Sequence, residues 1–169
     1  EIKASNDIEG VYSSRKEIRA AIQNSQNDKL RFSSIIAKYQ SILDNPHGFK
    51  FESSKDIRDL FDDIISNEIE KKNQPDGELF RRDSVDIVNH QDKIIHRGTW
   101  PESDIIIELD RALGILNNED LVLPIRVAIF HYYFGYIHPF YDGNGRTNRF
   151  ISTAYLAKYY HPLIALRLS

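Results

Sequence analysis

Cysteine is absent from the 169 residues, and so is methionine. The first absence excludes disulfides, thiolate metal sites and a cysteine nucleophile in one step, and it fits a reducing compartment. The second extends to position 1, so the chain reads as a segment cut from a longer protein. No charge of one sign dominates: 22 Lys and Arg face 25 Asp and Glu, a formal charge of −3. That is the wrong sign for a surface that holds nucleic acid along its length. Long apolar runs are missing as well. The opening residues EIKASNDIEG hold no signal-peptide core. The longest stretch free of Asp, Glu, Lys and Arg, residues 127–141, contains His131, His138 and Pro139 and is shorter than the ~20 apolar residues of a membrane span. These absences indicate a soluble, cytoplasmic chain with no membrane partner. What is present, 41% apolar and 28% charged residues, is ordinary globular usage, and the length suits one domain of ~150 residues.

Most of the chain reads as helix. Ser14-Arg15-Lys16-Glu17 is a capping box that opens a helix to about Asn24. Phe32, Ile35, Ile36, Tyr39, Ile42 and Leu43 keep the 3.6-residue period and predict a helix from about Lys29 to Leu43, broken by Asn45-Pro46-His47-Gly48. Ile57, Leu60, Phe61, Ile64 and Ile65 predict another over 54–71, whose end, with Glu68, Glu70, Lys71 and Lys72, reads as solvated. Val85-Asp86-Ile87-Val88 and Ile94-Ile95-His96 flank Asn89-His90-Gln91-Asp92 as one β-hairpin. Pro101 opens a helix with Ile105, Ile106, Leu109, Leu113 and Leu116 on one side. Pro124 opens another, to about Ile137, that is apolar on most sides and therefore predicted to be central, with Tyr132, Tyr133, Phe134 and Tyr136 in the core. The last long helix runs from Gly145 or Arg146 to about Tyr160, where His161-Pro162 stops it, and its Tyr155, Tyr159 and Tyr160 read as packing residues. The apolar tail 163–169 suggests that more protein follows.

Chemistry concentrates in His138-Pro139-Phe140-Tyr141-Asp142-Gly143-Asn144-Gly145-Arg146-Thr147-Asn148-Arg149. Asp-Gly and Asn-Gly alone would be turn dipeptides. Arg146 and Arg149, however, share a face in the first turn of a helix, where two cations oppose the dipole unless an anion is bound. Gly143 and Gly145 let successive N–H groups curl into an anion nest. Together these make a phosphate cradle, and no Walker A loop, because no Gly-Lys-Ser/Thr follows. His138, at a helix C-terminus facing this cradle, suits a general base toward a hydroxyl attacking phosphorus. Asp142 faces phosphates favourably with a divalent cation between them.

His138 to Arg149 resembles the Fic family signature H-x-F-x-D/E-G-N-G-R-x-x-R at every defined position. The resemblance covers residues 14–169. It implies an all-α, Fic-type helical bundle with one β-hairpin flap. It also implies transfer of AMP from ATP, with Mg²⁺, to a Ser, Thr or Tyr hydroxyl of a target protein or of the chain itself. In that reading His138 deprotonates the hydroxyl and Phe140 anchors the loop. Asp142 binds Mg²⁺, and Gly143, Asn144 and Gly145 hold the α- and β-phosphates. Arg146 contacts the phosphates and Arg149 receives the γ-phosphate. The intact GNGR stretch argues against the phosphotransferase branch of the family. The flap strand Val85, Asp86, Ile87 and Val88 would pair with an extended target segment.

Ser5-Asn6-Asp7-Ile8-Glu9-Gly10 reads as a short helix with a glycine cap. Glu9 then sits at the negative end of its helix and Arg149 at the positive end of another, so that pairing relieves both. The segment resembles the S/T-x-x-x-E-G/N inhibitory motif of Fic proteins. That implies a Glu9–Arg149 pair that blocks the γ-phosphate, with residues 1–12 as an inhibitory segment and 13–169 as a catalytic core truncated at its C-terminus. The same glutamate suits an AMP-removing hydrolase if it orients a water. A nucleotide-binding regulatory module without transfer, and a DNA-linked regulator, are the readings from other classes. The −3 charge gives the second of these no support in this segment. An oligomer is compatible with all of them.

Overall fold

The computed structural model of the chain describes residues 1–23, 30–89, 91 and 93–168. The expected boundaries at Asn24 and Lys29, His90 and Asp92 of the hairpin turn, and Ser169 lie outside them. Among the described residues are helices α1 (Ile2–Ile8), α2 (Arg15–Gln23), α3 (Ser33–Asp44), α4 (Ser54–Ile64), α5 (Glu102–Leu116), α6 (Leu123–Ile137), α7 (Asn144–Ala157) and α8 (Pro162–Leu168), with strands β1 (Asp86–Val88) and β2 (Ile94–Arg97). The fold is all-α with a single hairpin. No helix is long and apolar enough to cross a membrane among the described residues. The chain divides into two compact units.

The first unit comprises Glu1–Lys50, Leu60–Glu68 and Gly145–Ser169. Its first helix ends because Gly10 turns left-handed at φ +69°. The N–H of Gly10 donates to Asp7 O at 3.2 Å and that of Val11 to Asn6 O at 2.9 Å, the paired bonds of a Schellman cap. The next helix opens on the predicted capping box: Glu17 N–H donates to Ser14 Oγ at 3.1 Å, and Glu17 Oε2 accepts from the N–H of Ser14 at 2.8 Å. α1 packs on α2, and α3 packs on α2 and α8. Ile35, Ile36, Tyr39 and Ile42 are the buried stripe of α3, and Tyr39 and Phe49 set ring edges against Phe150 at 5.1 and 5.4 Å.

Three predicted helical features differ. Phe32 does not continue the α3 period; it is the N-cap, left-handed at φ +67°, and its ring is buried. The fourth helix stops at Ile64 instead of Lys71, giving way to 3₁₀ turns at Ser66–Glu68 and Lys71–Asn73. Ser66 and Asn67 compete with a helical backbone, and a tight Glu68 N–H to Ile65 O bond of 2.8 Å replaces it. The seventh helix stops at Ala157, so Tyr159 and Tyr160 are exposed and only Tyr155 of the three tyrosines packs inside.

The second unit comprises Phe51–Asp59 and Ile69–Asn144. Helices α5 and α6 pack together. Ser54 is latched to Asp110 Oδ1 through its N–H at 2.7 Å and its hydroxyl at 2.6 Å. Helix α6 is covered on one face and open on the other. Val127, Phe130, Phe134 and Ile137 are buried, whereas Ile125, Tyr132 (66% exposed), Tyr133 and Tyr136 face solvent. Of the four aromatics expected in the core, Phe134 alone is there. An all-round apolar helix is therefore half-covered in this unit, and periodicity could not assign its two faces.

β1 and β2 pair antiparallel with Asp86 opposite Arg97, Ile87 opposite His96 and Val88 opposite Ile94, with a bulge between Ile87 and Val88. An isolated hairpin is marginal, and this one is bolted to the end of α6. His96 Nε2 is 2.7 Å from Tyr136 O, its ring lies tilted against that of Tyr136 with centroids 4.1 Å apart, and Thr99 N–H donates to Ile137 O at 3.0 Å. Carbonyls that a helix C-terminus leaves without intrahelical partners are thus satisfied from the hairpin.

Candidate active site

Residues His138 to Asn144 belong to the second unit and Gly145 to Arg149 to the first, and each part has its own geometry. In the second unit, His138 caps α6 in the left-handed conformation, φ +53° and ψ +62°, a region that non-glycine residues occupy at a cost. Phe140 is fully buried, edge-on to Phe80 at 5.3 Å. The Asn144 side chain clamps the same residue's backbone: Oδ1 accepts the Phe140 N–H at 2.9 Å and Nδ2 donates to Phe140 O at 2.7 Å. Asp142 accepts the N–H of Gly143, which lies at φ +80°. The loop is therefore held by an apolar anchor and a side-chain amide.

Two groups absent from the sequence reading hold the loop's surroundings. Arg81, fully buried, donates from Nε to His138 O at 2.9 Å, from Nη1 to Asp83 O at 2.7 Å and from Nη2 to Thr99 O at 2.7 Å. Burial pushes its guanidinium pKa down. The Glu102 carboxylate accepts backbone N–H groups of Glu78, Leu79 and Phe80 at 3.1, 2.7 and 2.8 Å. Burial pushes this carboxyl up, but the three N–H donors outweigh it and hold it below the usual range. A Cβ on Gly77 would collide with that carboxylate, so a larger residue there would have to displace Glu102 from its three N–H donors. Nothing in the local pattern of Leu79-Phe80-Arg81 marks a buried arginine.

In the first unit, the start of α7 carries both arginines inward. Arg146 is 1% exposed, with Nη1 3.4 Å from Glu68 Oε2. Burial pushes the Glu68 carboxyl up, against the pull of Arg146. Glu68 is thus not part of a solvated helix end, although Glu70 and Lys72 are exposed. Its place one turn beyond Ile64 and Ile65, in phase with the apolar stripe, was the signal for burial. Arg149 meets the N-terminal helix. Its Nη2 donates to Glu9 Oε1 at 2.8 Å and to Ser5 O at 3.1 Å, and its Nε donates to Ser5 Oγ at 2.7 Å. Glu9 is packed so closely on α7 that a Cβ at Gly145 would strike its carboxylate. A carboxylate there complements the helix N-terminus.

On the hairpin, Val85 O accepts the N–H of Gly98 at 3.0 Å and Asp86 pairs with Arg97 at 2.7 Å. The Arg97 hydrogen bond lowers the Asp86 carboxyl. Ile87 is half-buried and Val88 exposed, and the outer edge of β1 has no strand beside it among the described residues. Among the described residues no three of His, Cys, Asp and Glu cluster as a metal site. Asp142 offers one carboxylate. Mg²⁺ is often held by one or two carboxylates plus phosphate oxygens, so this donor fits a cation that arrives with a polyphosphate.

A family model described as the Fic/DOC family matches residues 51–156. The curated protein adenylyltransferase Fic of Culex quinquefasciatus is 36% identical over 95 residues, covering 54% of this chain and 18% of that protein. The match therefore spans less than a fifth of that relative's length. Among solved structures, a Fic family protein from Desulfovibrio desulfuricans superposes with a TM-score of 0.70 at 22% identity, over 98% of this chain and 49% of that one. At that identity the likeness is one of fold.

Proposed function

The chain belongs to the Fic/DOC family, and on that premise we propose that it is a protein adenylyltransferase restrained by its own N-terminal helix. The reading is carried by the unbroken sequence from His138 to Arg149: a histidine ending one helix, an acid, two glycines, and two arginines opening the next. A hydroxyl of a target side chain (Ser, Thr or Tyr) attacks the α-phosphorus of ATP. Its proton passes to the His138 imidazole, the new oxygen–phosphorus bond forms, and the bond to the β-phosphate oxygen breaks with release of pyrophosphate. The N–H groups of Gly143, Asn144 and Gly145 cradle the phosphates, Arg146 adds positive charge, and Arg149 takes the γ-phosphate. Asp142 would hold Mg²⁺, which supplies neutralisation of phosphate charge. The edge of β1, over Val85–Val88, receives the target as an added strand.

Residues 1–12 are the inhibitory segment in this reading and 13–169 the catalytic core. While Arg149 is bound to Glu9 and Ser5, it is withheld from a γ-phosphate. Incubation with labelled ATP tests the whole scheme. Glu9→Gly should raise self-labelling and labelling of lysate proteins, and His138→Ala should abolish both in either background. No labelling by Glu9→Gly overturns the transfer reading. The closeness of the Glu9 carboxylate to Gly145 also favours a second reading, in which Glu9 orients a water and AMP is removed from a modified protein. Release of AMP that is lost in Glu9→Gly would identify that activity.

A further inference from the structure

Arg81 lies outside the family signature, yet its guanidinium is fully buried and spent on main-chain oxygens from three separate segments. Asp83 O precedes β1, Thr99 O follows β2, and His138 O ends α6. A further Nη2 contact reaches Ile137 O at 3.3 Å, and the Arg81 N–H itself donates to Pro139 O at 3.4 Å. The fork of a guanidinium serves several directions at once, as an ammonium cannot, and a cation is favoured at a helix C-terminus. Gly98 completes the seat. A Cβ there would lie 2.6 Å from Arg81 Nη2, 3.0 Å from Val85 Cγ2 and 3.1 Å from Ile137 O.

We infer that Arg81 is a positioning residue: it ties both ends of the β1–β2 hairpin to the His138 main chain, so that a target strand paired on β1 is held in a set register to the His138 imidazole. The inference rests on the transfer reading for its consequence in catalysis, but the tether itself does not. Without it, the hairpin keeps its β1–β2 ladder and its His96 contact with Tyr136, while the Gly98–Thr99 end loses its hold and the His138 carbonyl loses the Arg81 donor beside a left-handed residue. Among the described residues the Arg81 side chain bonds only to Asp83, Thr99, Ile137 and His138 carbonyls and to no group proposed to hold the nucleotide, so ATP binding would be little affected. A hydroxyl delivered by the hairpin would reach the base in the wrong place, and small misplacements are costly in rate.

The test uses Arg81→Lys and Gly98→Ala, each made in the Glu9→Gly chain. Lysine keeps the charge and loses the fork; the alanine keeps Arg81 and pushes its Nη2 aside. Each should lower the maximal rate of labelled AMP transfer by tenfold or more, with KM for ATP within twofold of the parent. A merely structural role predicts a lower melting temperature without that split. An unchanged rate in both variants, or a loss carried by KM for ATP, overturns the proposal. Amide hydrogen exchange gives a readout free of activity. The Gly98 and Thr99 amides should exchange at least tenfold faster in both variants while those of α5 and α6 keep their protection. Unchanged exchange overturns the tether. If the Glu9→Gly parent transfers nothing, the transfer reading falls, and the tether is decided by exchange alone. If Arg81→Lys lacks a cooperative melt, Gly98→Ala carries the test.

Discussion

Release of Arg149 from the N-terminal helix sets the size of the effect expected from Glu9→Gly. The guanidinium gives one charge-assisted bond to Glu9 at 2.8 Å and two to Ser5, at 2.7 and 3.1 Å. The Arg149 and Glu9 side chains are 10% and 23% exposed. Exposed ion pairs contribute ~0–1 kcal/mol, and breaking a fully buried pair costs ~3–5 kcal/mol. A pair of intermediate burial, with one strong bond, is worth about 2 kcal/mol. If Arg149 must leave Glu9 to meet the γ-phosphate, that energy is withheld from every productive ATP complex. Its removal raises kcat/KM for ATP about 30-fold, at ~1.4 kcal/mol per factor of ten. Initial rates of labelled AMP incorporation at subsaturating ATP measure it. Ser5→Ala, which removes one hydroxyl acceptor, should give about fivefold from roughly 1 kcal/mol, and Glu9→Gln should fall between parent and glycine. Glu9→Gly within threefold of the parent, with an unchanged melting curve, refutes the competition. So does a larger effect from Ser5 than from Glu9.

Other expected outcomes concern the scaffold. Glu102→Gln should cost about 1–2 kcal/mol at pH 7, because three N–H groups lose a charged acceptor that is partly open to solvent. The Glu102 carboxyl is depressed in the fold. Its contribution is therefore complete above the unfolded-state value and lost as pH falls through the folded one, so melts on acidification should show parent and variant converging. Ser14→Ala should cost about 1 kcal/mol in denaturant midpoint, the worth of one half of a capping box. Phe140→Ala should cost ~3–5 kcal/mol, since a fully buried ring is replaced by a cavity; equilibrium unfolding measures it, and a loss below 1 kcal/mol would show that the loop has another anchor.

Local rules carried much of the fold. The Ser14–Glu17 box, Gly10 past a short helix, Pro101 and Pro124 at helix starts, and the Val85–Val88 run are all short-range signals, and elements begin or end beside each of them. Sequence pattern and structure part where burial decides. Fifteen residues of α6 are apolar on most sides, so no phase exists from which to choose the covered face. Ser66-Asn67 broke α4 early, and a tight turn took Glu68 inside.

The candidate site divides in the same manner. The sequence by itself determined the residue types and spacing from His138 to Arg149 and the family they belong to, because the proposed handling of phosphates calls for glycines, arginines and a base at short fixed intervals. Tertiary structure alone decided which groups hold them. Arg81 to the His138 carbonyl, Glu68 to Arg146, and Ser5 with Glu9 to Arg149 join residues 57, 78 and 140 or more positions apart. A buried charge accepts whatever partner the packing brings within hydrogen-bond reach, and no local pattern records that choice.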